Sequence, residues 1–209
     1  MLHKEAIDQS TLELLKGLQQ KKYLNGFFLA GGTALALLYG HRKSININLF
    51  SDFSFDTGKL LENLSSDFQF QLFFTAENTI KGSIDGVQVD IIAHRYPLIS
   101  PTVLLDGVSI LAVGDIAAMK LNAIANNGQR VKDFIDIYYL LDNFSFAELI
   151  SFYKKKYVQY NEVNVLKSIT WFNDVVLEEW PVILKDKNLK WEEIKKRIIR
   201  ETQIYLKQI

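Results

Sequence analysis

The sequence predicts an α+β protein: a mixed α/β core over residues 1–112, followed by a helical half over residues 113–209 that packs against it. Three observations carry this expectation. Short runs of alternating or β-branched character fill much of the chain before residue 112. Beyond Asp115, apolar residues recur at helical spacing instead. No Pro/Gly-rich linker separates the two stretches, so close packing is expected.

In chain order, Ile7 to Gln20 places Ile7, Leu12, Leu15 and Leu18 on one helical face. Phe27-Phe28-Leu29 reads as a short strand, Gly31-Gly32 as a tight turn, and Thr33 to Tyr39 as a helix of strong formers. Ser44 to Phe50 alternates as a strand does. Thr57 to Leu64 reads as a helix, and aromatic-rich Phe68 to Thr75 as a strand. Thr79 to Ile84 and Val87 to Ile92 flank Asp85-Gly86, a strong hairpin signal. Val103 to Leu105 suits a short edge strand. Asp115 is the expected N-cap of a helix that Asn127-Gly128 stops. Helices are then expected over Gln129 to Leu141, Phe146 to Tyr157, Glu162 to Phe172 and Trp191 to Lys207.

Composition narrows the function. The 209 residues carry 24 Lys+Arg and 24 Asp+Glu, so net charge gives no argument for a nucleic-acid partner. The chain has no cysteine, which excludes disulfides, thiolate zinc sites and a cysteine nucleophile. His3, His41 and His94 lack metal-ligand spacing. The most apolar stretch, Phe27 to Tyr39, is short and broken by glycines, so no membrane span is expected and the cytoplasm is the expected location.

The chemistry lies in Ala30-Gly31-Gly32 and, thirteen residues later, Asn46-Ile47-Asn48-Leu49. Two glycines at a helix start let backbone N–H groups approach a phosphate closely. Residues at i and i+2 of a strand share one side. Two carboxylates so placed would hold magnesium across a triphosphate. The spacing resembles the nucleotidyltransferase signature of the polymerase-β-like fold, with asparagine at both acidic positions.

Longer blocks are more specific. Phe28 to Ala36, Gly40-His41-Arg42-Lys43-Ser44, Leu49-Phe50-Ser51, Ala118-Met119-Lys120 and Arg130 to Tyr138 resemble the AbiEii/AbiGii nucleotidyltransferase toxin family. The resemblance covers roughly residues 26 to 142 and implies a mixed-sheet nucleotidyltransferase core. It implies transfer of a nucleotide from an NTP to a tRNA, another RNA or a protein acceptor, with Mg²⁺ as cofactor and a cognate antitoxin as partner. It further implies that Gly31, Gly32 and Thr33 cradle phosphates. Positions 46, 48 and 90 would form the metal set, Asp90 being its third member and a possible base. Lys120 would touch nucleotide phosphate, Arg42 and Ser44 would add phosphate or acceptor contacts, and Asp136, or else Asp133, would supply a later acidic residue.

Asn46 and Asn48 depart from that pattern. An amide oxygen can coordinate Mg²⁺ but brings no charge. A unit charge pair near 4 Å is worth about 4 kcal/mol at an effective dielectric near 20. Even a net loss of ~3 kcal/mol weakens binding more than about a hundredfold. Magnesium should therefore be weakened or lost. Three readings follow: a pseudoenzyme, an inactivated variant of a toxin, or weak activity through Asp90. A catalytically silent module binding nucleotide, RNA or antitoxin is the alternative to an enzyme. Among the remaining features, Lys154-Lys155-Lys156 reads as a solvated face and Trp171-Phe172 as core, while an ordinary ion pair with Lys132 on the same helix is the alternative to a functional Asp136.

Overall fold

In the computed structural model, which describes residues 1–208, seven strands and eight α-helices are found among the described residues. The first half contains α1 (Gln9–Gln19), β1 (Phe28–Leu29), α2 (Gly31–Tyr39), β2 (Ile47–Ser51), α3 (Thr57–Asp67), β3 (Phe70–Ala76), β4 (Thr79–Ile84), β5 (Val87–Ala93), β6 (Val103–Leu105) and β7 (Val108–Ile110). The second contains α4 (Val113–Asn126), α5 (Val131–Leu140), α6 (Phe146–Lys156), α7 (Glu162–Ser168) and α8 (Trp191–Leu206).

The strands form one mixed sheet in the order β3-β4-β5-β2-β1-β7-β6. β2 runs parallel to β5, and β1 parallel to β7; the other neighbouring pairs are antiparallel. The Asp85-Gly86 hairpin forms as expected, with both residues at positive φ. Val103–Leu105 does lie at a sheet edge. Its partner β7 was not anticipated, although Asp106-Gly107 repeats the same turn signature with φ of 51° and 80°.

β2 positions the site because its alternation is strict: Ile47 and Leu49 are fully buried, whereas Asn48 and Phe50 face the opposite side and are partly exposed. One apolar cluster runs through both halves. It contains Leu29, Leu49 and Ile91 of the sheet and Ile116, Phe134, Leu149 and Ile198 of the helices. α2 touches both α4 and α5, so the glycine turn at its start sits where the sheet meets the helical half.

Four expectations need correction. The α4 N-cap is Ala112, not Asp115. Asp115 lies in the first turn, fully buried, and accepts from the N–H groups of Ile99 and Ser100 and from Lys156. Lys156 is not solvated: it is 1% exposed, and its Nζ lies 2.6 Å from Asp115 and 3.1 Å from the Pro97 carbonyl. Its neighbours Lys154 and Lys155 do face solvent. Asp136 does not pair with Lys132, which meets Glu179 instead. Trp171 is 56% exposed rather than core, its indole N–H donating to Asp174.

Candidate functional site

The site is built around the first turn of α2. Gly31 has φ of +69°, a left-handed conformation that lets the chain leave β1 and enter the helix at once. A Cβ at Gly31 would lie 3.3 Å from the Asn48 amide nitrogen, so Asn48 stands directly against the turn. A Cβ at Gly32 would fall 2.1 Å from Arg42 Nη2. Any larger residue at 32 must displace the guanidinium packed beneath it, which Asp136 holds in place. The preceding residue, Ala30, offers no capping oxygen, which leaves the first N–H groups of α2 available to an anion.

The hydroxyls assigned to phosphate are engaged within the protein. Thr33 Oγ1 donates to the Asn46 carbonyl and lies 2.8 Å from Ser44 Oγ. A hydroxyl has one proton, so with Thr33 donating to Asn46, Ser44 donates to Thr33. The chain Ser44–Thr33–Asn46 pins the segment before β2 to α2 and fixes where Asn46 sits.

Asn48 pairs in parallel register with Asp90, and Asp90 pairs in antiparallel register with Lys81 of β4. Register partners share a face, so Asn48, Asp90 and Lys81 form a row across three strands. The Asp90 carboxylate accepts from Gln88 Nε2 at 3.2 Å and lies 3.9 Å from Lys81 Nζ. Lys81 was not singled out from sequence.

Magnesium tests poorly against this donor set. Two neutral amides and one carboxylate already matched by a lysine supply too little negative charge for a pair of dications. Among the described residues, no three His, Cys, Asp or Glu side chains gather as a metal cluster. The residues present do not fit the two-ion centre.

Beneath the turn lies a buried ionic cluster. Asp136, wholly buried, takes Arg42 Nε at 2.7 Å and Nη2 at 3.0 Å, His41 Nε2 at 2.8 Å and Lys120 Nζ at 2.6 Å. Lys120 also reaches Asp133 at 2.6 Å. Burial alone would push the Asp136 carboxyl up; the charges of Arg42 and Lys120 and the hydrogen bonds from His41 and Arg42 overcome it and hold the group well below the usual range. Burial pushes His41 down despite Asp136, so its imidazole is neutral. Its Nε2–H then donates to Asp136, and Nδ1 is left buried with no partner among the described residues. Two cations and two carboxylates balance here. The cluster supports the turn without adding net charge to it. Asp136 acts on the cleft through Arg42 and Lys120.

Two clefts open from the turn. The first, of about 350 Å³, is lined by Gly32, Thr33, Ser44, Asn46 and Asn48, with Trp180 and Pro181 across from them. Arg42, Lys43, Arg130 and Lys132 line it against Glu178 and Glu179. Lys43 and Lys132 make solvent-accessible ion pairs, at 3.6 and 3.3 Å, whereas the exposed Arg130 side chain lies 3.8 Å from the buried Asp133 carboxylate. Surface pairs such as those of Lys43 and Lys132 contribute about 0–1 kcal/mol each, so little holds these two cations back from a phosphate. The second cleft, of about 180 Å³, shares Gly32, Asn48 and Arg130 with the first. Asp90 lines neither. Neither Arg130, Lys132 nor Trp180 was a site candidate in the sequence.

A glycine turn opening a helix, facing a paired strand of a mixed sheet beneath a helical half, defines the nucleotidyltransferase fold. A nucleotidyltransferase toxin of Mycobacterium tuberculosis H37Rv, MenT4, shares the fold at a TM-score of 0.59 and 14% identity, over 90% of this chain and 82% of that one. So does a candidate nucleotidyltransferase of H. pylori, at a TM-score of 0.60 and 17% identity, over 96% of both chains. A protein of Aquifex aeolicus (strain VF5), described as uncharacterized, is 31% identical over 188 residues, spanning 87% of this chain and 89% of its own. The family model "Nucleotidyl transferase AbiEii toxin, Type IV TA system" matches residues 13–100 and 67–206. The chain belongs to the AbiEii nucleotidyl transferase toxin family. Among the described residues, no helix is long and apolar enough to cross a membrane.

Proposed function

We propose that this chain binds the triphosphate of an NTP in the first cleft and transfers its nucleotide only weakly, because Asn46 and Asn48 stand where the two metal-binding carboxylates belong. The observation that carries this is the position of Asn48, against Gly31 and in register with Asp90. The free N–H groups of α2 and the side chains of Lys43, Arg130 and Lys132 supply the anion site. Asp90 is the sole carboxylate of the expected metal set, and Mg²⁺ binding is correspondingly weak. The acceptor of the family reaction would be an RNA, a tRNA above all, or a protein; a cognate antitoxin would be the partner.

A second reading is a binding module that holds nucleotide, RNA or antitoxin without chemistry. The intact glycine turn beside two amides favours it. Calorimetry with each NTP, with and without Mg²⁺, tests the primary claim. Binding that is nearly unchanged by Mg²⁺ is expected. Tight binding that requires Mg²⁺ would contradict the role given to the asparagines.

A further inference from the structure

The second cleft differs from the first in kind. Its walls are Phe50 of β2, His94 just beyond β5, Ile116 and Met119 of α4, and Tyr157 at the end of α6, with the Asn122 amide beside them. Phe50 and His94 have ring centroids 5.8 Å apart at 34°, and His94 Nε2 lies 2.9 Å from the Tyr157 hydroxyl. His94 is therefore locked between two aromatic neighbours as a fixed wall. Burial, with the Lys156 charge adding to it, pushes its imidazole down to about 4, so the ring is neutral and does not compete for phosphate. The thioether of Met119 adapts to flat surfaces of varying shape. Lys120 and Asp133, which also line this cleft, neutralise each other at 2.6 Å.

The two clefts are thus complementary and continuous. One is cation-lined and opens on helix N–H groups. The other is walled mainly by aromatic and apolar side chains, its one cation without a close partner at its border being Arg130, and is joined to the first at Gly32, Asn48 and Arg130. Its volume lies well below the ~300–1,000 Å³ that holds a whole drug-sized ligand, so it suits one part of a nucleotide.

Building on the triphosphate reading of the first cleft, we infer that the second cleft receives the nucleobase of the same NTP. Phe50, His94 and Met119 form its stacking surface, and Asn122, which can both donate and accept, meets the base edge. The ligand would run past Asn48 with its phosphates on one side and its base on the other. Base–aromatic stacking is sequence-tolerant, so preference among bases falls to Asn122.

Calorimetry on the full chain, comparing NTPs with inorganic tripolyphosphate, tests this. The NTPs should bind roughly five- to a hundredfold tighter than tripolyphosphate, the range one base–aromatic stack gives. Ala123→Phe, which fills the cleft, should abolish that margin and leave tripolyphosphate binding unchanged. Should Ala123→Phe fail to fold, Phe50→Ala is held to the same criterion. Equal binding of NTP and tripolyphosphate by the unaltered chain would overturn the base site alone, as would a margin that survives both variants. Failure of both ligands to bind would overturn the phosphate reading and the base site with it.

Discussion

Arg42 and Asp136 are 94 residues apart in sequence and meet in a buried two-pronged ion pair, at 2.7 and 3.0 Å. The pair sits directly under Gly32 and couples the first turn of α2 to α5. Asp136 also holds His41 and Lys120, so one carboxylate anchors three basic side chains. Truncating it strands Arg42 and leaves Lys120 with Asp133 alone. Asp136→Ala should therefore lower stability by about 3–5 kcal/mol, the usual cost of breaking a buried pair from one side. Urea unfolding measures it; a loss below ~1 kcal/mol would mean that the cluster does not anchor the turn.

Gly32→Ala puts a methyl group where the Arg42 guanidinium lies. The guanidinium must then shift within its pair with Asp136, at a cost of roughly 1–3 kcal/mol for overpacking. NTP affinity should fall with stability, because Gly32 lines both clefts. Thermal unfolding and calorimetry on the same sample check both effects.

The three consecutive lysines of α6 should behave differently from one another. Lys156→Ala removes the cation that balances fully buried Asp115 and should cost about 3–5 kcal/mol. Lys155→Ala, at an exposed position, should stay within about 0.5 kcal/mol. Chemical denaturation of the two variants side by side decides it.

Much of this was legible in the sequence, and the failures have physical causes. The Asp85-Gly86 hairpin and the Gly31-Gly32 turn are local: a residue type meets a backbone requirement within a few positions. The side of the sheet that Asn48 faces is the one strand periodicity gives, but the strand expected from Ser44 begins only at Ile47, and Asn46 is held instead through its carbonyl by Thr33. At Lys156 two sequence signals conflict: the run of like charges points to solvent, whereas helical phase points inward. Lys156 lies three residues after Tyr153 and seven after Leu149, both buried, which marks the inward face. The Arg42–Asp136–Lys120 cluster was beyond a local reading, since its members come from α4, α5 and the loop after α2. Residue spacing along one helix suggested Lys132 as the partner of Asp136; tertiary packing supplied stronger ones. The second cleft was invisible for the same reason.

Stability should decline as pH falls from about 6.5 toward 4. His94 is pushed down from 6.5 to about 4, and His41 is lowered as well, in both cases chiefly by burial. A base whose folded pKa lies below its unfolded one takes up a proton on unfolding, so its contribution is intact above the unfolded value and lost on the way down. Asp136, held well below 3.8, adds a further loss at pH beneath that value, as the unfolded carboxylate protonates first. Urea midpoints across this range measure the trend, and His94→Phe should flatten its upper part.

The role of the amides at 46 and 48 is tested most directly by replacing both with aspartate. The doubly substituted Asn46→Asp, Asn48→Asp chain, given radiolabelled NTPs, Mg²⁺ and a panel of tRNAs, other RNAs and proteins, should transfer label to an acceptor at least about a hundredfold faster than the unaltered chain, with the gain abolished by chelating the metal. Equal transfer by the two chains, or none by the substituted one across the panel, would contradict the assignment of these two positions as an emptied cation site.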